Sequence, residues 1–329
     1  MTSNPEFELA DLVPQYKGFT QVTVGPRPGG GSWQLPILYA TSAVRSPILV
    51  VTAGVHGNEM EGIQAIPRVY QQLDPHHMRG TIIMVPVSNV PAFETHTRNS
   101  PVDGRNLARV FPGSTTGTLT ERIADVMYRQ LIRHADFYID LHSGGPESDI
   151  PTLVGYIHED TPAGQQSLEG AKAFGTSVIW GHPPPVPPGR TISVAHAAGI
   201  PCLYTETPGG GRAEREAITV YAQGILNIMS MLQMRPVPCP VKQPTHHLWG
   251  DGNLDYLIAA QSAGLFESET ELLADVQAGQ RLGCVRDVYG REQSEVVSPR
   301  DGVLLLLRHT PTVMVGEGLA FVTGRFAAT

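Results

Sequence analysis

Pro47-Ile-Leu-Val-Val-Thr52 runs directly into Ala53-Gly-Val-His56-Gly-Asn-Glu59, and this stretch sets the reading of the whole chain. The first six residues are apolar and rich in β-branched side chains, the texture of a strand buried on both faces of a parallel sheet. His56 and Glu59 follow where that run ends and a helix begins. A spacing of three can aim both side chains at one metal ion. Neutral imidazole nitrogen and carboxylate oxygen are good Zn²⁺ ligands, and a hydrolytic site takes a third protein ligand while keeping a position open for water. Asp140-Leu-His142-Ser-Gly-Gly supplies that third candidate. Taken alone, H-x-x-E equally describes a solvated surface pair one helical turn apart.

The neighbours give the pattern weight. Asp136-Phe-Tyr-Ile-Asp-Leu141 is a second strand-like run, so both ligand segments lie just past strands. Open α/β sheets bind their ligands in the crevice beyond the carboxyl ends of the strands, where His56, Glu59 and His142 would meet. Asp140 either supports a ligand imidazole from behind or points into the sheet.

Alternation continues along the chain. Glu61 to Leu73 carries apolar residues at helical spacing, and Thr81-Ile-Ile-Met-Val-Pro-Val87 reads as the next strand. Thr118, with Glu121 three residues later, opens a helix that runs to Ile132. Leu153–Ile157, a helix near 163–174, Ile200–Glu206 and a long helix from about Ala213 to Leu232 complete a mostly parallel, mixed sheet covered by helices on both faces.

Pro236-Val-Pro-Cys-Pro240 and Pro244 break the periodicity and predict a linker, dividing the chain into an α/β domain over 1–235 and a β-rich domain over 236–329. Beyond it, Gly264-Leu-Phe-Glu, Val276–Val285, Ser298–Leu307 and Val313–Val322 read as short β segments punctuated by glycine. V-x-A-G-x-x-L-G and V-x-V-G-E-G-L-A form a weak internal duplication resembling barrel-sandwich domains of the biotinyl/lipoyl type. Those carriers present a modifiable lysine, and no lysine follows Lys242. A lid or assembly module is the expectation.

The composition is that of a soluble globule, with 41% hydrophobic and 16% charged residues among 329. A formal net charge of −8 and the lack of a basic cluster argue against nucleic acid or an anionic membrane surface as partner. No apolar run reaches the ~18 residues of a membrane span, and Met1 to Ala10 lacks the pattern of a signal peptide, so a cytoplasmic location is expected. Cys202, Cys239 and Cys284 have no C-x-x-C spacing and make an odd count, which argues against a disulfide framework.

Two further segments carry chemistry. Glu206, in Tyr204-Thr-Glu206-Thr-Pro-Gly-Gly-Gly211, stands at another strand end, where a carboxylate can take a proton from a metal-bound water and pass it to a leaving amine. It could equally cap the glycine turn or pair with Arg212. Ser88 to Gly113 is a polar loop with Arg98, Arg105 and Arg109, and Arg190 follows in Pro188-Gly-Arg-Thr. Guanidinium groups near a metal polarise a carbonyl, hold an oxyanion or clamp a carboxylate; on an ordinary surface loop they are merely solvated.

Read in order, G-x-H-G-N-E, N-x-x-A, R-x-S-P-x-D-G-x-N-L-x-R-x-F-P-G, D-L-H-x-G and E-x-x-G-G resemble the succinylglutamate desuccinylase/aspartoacylase family of carboxypeptidase-like zinc amidohydrolases, over about Pro47 to Arg212. Within it the chain is similar to members of the N-acetyl-diaminobutyrate deacetylase type. The resemblance implies a zinc-carboxypeptidase-like fold, one Zn²⁺ held by His56, Glu59 and His142, and Glu206 as general base and acid. It further implies Arg98 as the carbonyl-polarising group, and Arg109, Arg190 and Asn106 as substrate-binding residues. A small N-acylated amino acid or amine is the implied substrate, and a homo-oligomer is compatible with it; a zinc carboxypeptidase and a metal-bound, non-catalytic assembly protein are the alternatives. One position departs from the pattern. The family reads N-L-N-R where this chain has Asn106-Leu-Ala108-Arg109, so a side-chain donor beside Arg109 is missing. Such a hydrogen bond to a charged acceptor contributes about 1.5–3 kcal/mol, and an unusual acylated amine or amino acid is expected.

Overall fold

The computed structural model describes residues 7–237 and 243–326. Met1 to Glu6, Cys239 and most of the proline linker lie outside the described residues. In chain order the first strands are Tyr16–Pro26 (β1), Ser32–Thr41 (β2), Ile48–Ala53 (β3), Thr81–Val85 (β4), Phe137–Leu141 (β5), the short Ser148–Asp149 (β6), Leu153–Ile157 (β7), Val178–His182 (β8), Cys202–Glu206 (β9) and His246–Trp249 (β10). Between them run helices Met60–Gln72 (α1), Val90–Thr95 (α2), Leu119–Gln130 (α3), Pro162–Phe174 (α4), Thr191–Ala197 (α5) and Arg215–Met231 (α6).

The central sheet follows the order β1-β2-β4-β3-β5-β9-β7-β8-β10. β3 pairs parallel with β4 on one side and β5 on the other, and β5 pairs parallel with β9. The chain therefore leaves β3 in opposite directions, and a crevice opens beyond the carboxyl ends of β3, β5 and β9. β7 enters antiparallel to β9, while β8 and β10 continue parallel to β7, so the sheet is mixed.

Side chains alternate across it as the pleat requires. Leu49, Val51 and Ala53 face a core shared with α1, α4 and α6, including Ile66, Phe174, Tyr221 and Ile225. Val50 and Tyr138 face the opposite core, closed by α3 and α5 through Ile123, Met127 and Ile192. Both faces of β3 are dry, which is why its sequence reads as an unbroken apolar run. The expected start of α3 is present: the Thr118 N–H donates to Glu121 Oε2 at 2.8 Å.

Two elements depart from the reading of the sequence. The β1–β2 hairpin precedes the first expected strand, and Val178–His182 forms β8. Past the linker, the tail comprises Ile258–Ala259 (β11), Gly264–Ser268 (β12), Asp275–Val276 (β13), Arg281–Arg286 (β14), Glu292–Val297 (β15), Gly302–Arg308 (β16), Thr312–Val313 (β17) and Gly318–Arg325 (β18). The stretch 276–285 is thus two strands with a turn at Gly279 between them. β15-β14-β12-β17 form a separate antiparallel sheet, whose Phe266, Leu282 and Val285 pack on Leu304, Leu319 and Val322 of β16 and β18. β18 also pairs with β10, which joins the tail to the edge of the catalytic sheet. Among the described residues no helix is long and apolar enough to cross a membrane.

Candidate active site

His56 and Glu59 stand on the turn between β3 and α1, and His142 directly follows β5. The turn is tight: a Cβ added at Gly57 would lie 2.0 Å from the backbone carbon of Ala92, so only glycine fits between the two ligand residues. Glu59 is buried and bridges the imidazoles, with Oε1 2.7 Å from His56 Nδ1 and Oε2 3.0 Å from His142 Nδ1. The Ser143 backbone N–H donates to the same Oε2 at 3.2 Å.

The far nitrogens are also held. His142 Nε2 is 3.0 Å from Asp140 Oδ2, and His56 Nε2 is 3.1 Å from Asn106 Oδ1. That Asn106 oxygen accepts from the Ala108 N–H at 2.9 Å, which fixes the orientation of the amide. Both Nε2 atoms face acceptors that can hold their protons, and the Nδ1 atoms face Glu59, so a cation seated among these groups would take the Nδ1 lone pairs while Nε2 stays protonated. Asp140 is itself fixed by Thr52 Oγ1 at 2.8 Å and by the Thr191 hydroxyl. It therefore lies within the sheet and supports the ligand imidazole.

One ligand atom from each of His56, Glu59 and His142 lies within 4.8 Å of the others. Two nitrogens and one carboxylate, each ring held from behind, make a donor set suited to a divalent cation such as zinc. Burial raises the Glu59 carboxyl, but the flanking imidazoles hold it well below its ordinary range. Burial lowers His142, yet Asp140 and Glu59 carry it well above the usual histidine value.

Glu206, at the end of β9, lines the same cleft as His56, Arg98 and His142. Burial pushes its carboxyl up to about 8, against the opposing charge of His142. It makes no pair with Arg212, which instead lies 3.5 Å from Glu214. Its Oε2 is buried without a hydrogen-bond partner among the described residues, a costly state that a reactive group in a cleft sustains.

The arginines of the loop part company. Arg98 Nη1 donates to Glu59 Oε1 at 3.2 Å, whereas Arg105 turns to Glu121 on the surface. Arg109 and Arg190 line the far wall of the cleft with Ala108, His182 and Tyr204. Both arginines are engaged by the tail. Arg109 pairs with Asp255 through Nε (3.1 Å) and Nη2 (2.5 Å), and Arg190 Nη2 donates to Asn253 Oδ1 at 3.1 Å. The strap 250–257 thus forms a wall of the site, and Asp251 and Leu254 line it too. Gly252 has φ +68°, and a Cβ there would meet the His182 ring at 2.7 Å. None of Asp251, Asn253, Asp255 or His182 was legible as a site residue, because the strap is far from the other motifs in sequence.

Residues 45–232 match the model of the succinylglutamate desuccinylase/aspartoacylase catalytic domain. The chain is 31% identical over 279 residues to the N-alpha-acetyl-L-2,4-diaminobutyric acid deacetylase of Halomonas elongata, covering 84% of this chain and 82% of that protein. Its fold is similar to a succinylglutamate desuccinylase/aspartoacylase from Rhodobacter sphaeroides, with a TM-score of 0.84, 27% identity and 97% of each chain covered. The product-bound ectoine utilization protein EutE (DoeB) from Ruegeria pomeroyi also superposes with a TM-score of 0.84, at 26% identity, over 95% of this chain and 97% of that one. The crevice, its His-Glu-His cluster and these likenesses agree: the chain belongs to the succinylglutamate desuccinylase/aspartoacylase family of deacylases.

Proposed function

We propose that this chain is a zinc-dependent amidohydrolase that removes the acyl group from a small N-acylated amino acid or amine, with an N-acetylated diamino acid as the leading substrate. The observation that carries this reading is the convergence of His56, Glu59 and His142 beside Glu206, whose Oε2 is buried without a partner among the described residues. Zinc held by the three ligands would supply Lewis acidity and a water of lowered pKa. Glu206 takes the proton of the attacking water and returns it to the departing nitrogen. Arg98 faces the cleft and stabilises the acyl oxygen as it gains negative charge. Arg190, and Arg109 with its Asp255 partner, line the wall against which the amino-acid part would lie. Asn106 and Asp140 act as positioning residues, each holding one imidazole through Nε2.

The strap from the tail favours a small molecule over a polypeptide, because it closes one side of the cleft. The experiment is an assay of the zinc-loaded protein on N-acetylated and N-succinylated amino acids, acetylated diamines and peptides. Hydrolysis of the small acyl amides is expected. Release of C-terminal residues from peptides would favour a carboxypeptidase, and silence across the panel would favour a metal-bound assembly protein. Glu206→Gln should keep zinc while losing at least about a hundredfold in kcat, in line with loss of a general acid–base group; full turnover in that variant would remove Glu206 from the chemistry.

A further inference from the structure

Asp255 lies on the strap between β10 and β11, far in sequence from the ligand motifs, yet its carboxylate reaches the arginines of the cleft wall. It takes Arg109 through both Nε and Nη2, the two-pronged pairing that a substrate carboxylate would make. Its Oδ2 is also 3.8 Å from Arg190 Nη2. Asx turns hold it there: the Asn253 N–H donates to Asp251 Oδ1 and the Asp255 N–H to Asn253 Oδ1. Ala108 offers no side-chain donor that could recruit a second anion beside Arg109.

A substrate carboxylate approaching Arg109 meets this fixed negative charge, and Asp251 adds another to the same cleft. Of the three arginines in the cleft, Arg109 is paired with Asp255, Arg190 donates to the neutral Asn253 amide with Asp255 3.8 Å away, and Arg98 reaches Glu59, so a dianionic acyl amino acid finds few free cations. A substrate with one carboxylate and one free ammonium finds a match, since two of a carboxylate's roughly four lone-pair sites remain after Arg109 is satisfied. Discrimination built from a repulsive contact is a common route to specificity. We propose that Asp255 is a charge-selecting residue, which rejects N-acyl dicarboxylic amino acids and binds the side-chain ammonium of an N-acyl diamino acid. This inference rests on the deacylase reading given above.

The test uses the full-length, zinc-loaded protein and its Asp255→Asn and Asp255→Glu variants. Two quantities are compared: kcat/KM on Nα-acetyl-L-2,4-diaminobutyrate against N-acetyl-L-aspartate, and calorimetric Kd for the bare amino acids L-2,4-diaminobutyrate and L-aspartate. The wild type should prefer the diamino ligand in both. Asp255→Asn should cut that preference at least about tenfold, the scale of one lost charge contact in a partly hydrated cleft, and Asp255→Glu should restore much of it. Wild-type preference for aspartate would overturn the proposal. So would equal changes for both ligands, whether a rise, as for a plug released from the arginines, or a fall, as for a purely structural clamp. If no acyl compound is hydrolysed by any of the three proteins, the deacylase reading fails, and the ratio of Kd values still decides the charge selection.

Discussion

Asp140 serves two structures at once. Its Oδ1 accepts from Thr52 on the neighbouring strand while Oδ2 faces His142 Nε2, so a residue of the buried sheet also orients a ligand. Sequence left these as alternatives, because a strand position next to a ligand fixes neither rotamer nor partner. The convergence of His56, Glu59 and His142 was legible, since spacing and strand ends are local features. Asp140→Asn should keep the fold but weaken zinc binding roughly 10- to 100-fold, as removal of such outer partners typically does; chelator competition measures it, and unchanged affinity would leave Asp140 with the sheet alone. His182 carries a second prediction, away from the metal ligands. It is buried under the strap, with Nδ1 2.8 Å from the Gly250 carbonyl and Nε2 3.0 Å from the Tyr204 hydroxyl. Burial lowers it from the ordinary 6.5 to about 4. The native state keeps it neutral, whereas the unfolded chain protonates it as pH falls through 6.5. Stability is therefore full above that value and is lost between about 6.5 and 4, by roughly 3 kcal/mol for this one group. Urea titrations across that window should show the slope, and His182→Gln should flatten it.

Among the elements, those buried on both faces were the easiest to read. β3, β4, β5 and β7 are short, apolar and continuous because helices dry both sides. β1 and β2 escaped because β1 is the sheet's edge and β2 lies beside it, where Lys17, Thr20, Gln21, Thr23 and Gln34 dilute the apolar pattern. β8 escaped because Val178-Ile-Trp-Gly-His182 is brief and runs at once into prolines. The turn joining β3 to α1 shows what an element's ending demands. Gly57 donates its N–H to the Thr97 carbonyl at 2.9 Å and passes against the backbone of α2 with no room for a methyl group. Gly57→Ala has no flexible side chain to push aside, so the turn must shift and carry His56 and Glu59 with it. The expected cost is at the upper end of the ~1–3 kcal/mol typical of overpacking, together with a loss of zinc. Thermal melting and metal analysis report the two effects, and a stable, zinc-replete variant would contradict the close approach.

At the scale of the molecule, the tail completes the sheet as well as the site. In sequence the tail differs in texture, passing from helical alternation to short glycine-punctuated strands, but where it packs is not a local feature. β10 extends β8 in parallel, and Leu248 joins Leu153, Val178, Trp180, Val303, Leu305 and Phe321 in one buried cluster. Leu153, Val178 and Trp180 belong to the α/β part, and the other four lie beyond the linker. A chain ended after Arg235 would leave β8 as an open edge and expose Trp180, which is fully buried in the whole protein. Unpaired, apolar edge strands template pairing between molecules. The shortened protein should therefore aggregate, or bind hydrophobic dyes with a red-shifted tryptophan emission, even though His56, Glu59, His142 and Glu206 are all retained. It would also lose Asp255 and Asn253, freeing Arg109 and Arg190 together. A shortened chain that stays monomeric, keeps its tryptophan spectrum and hydrolyses the same acyl amides with the same selectivity would show that the tail contributes to neither the core nor the cleft.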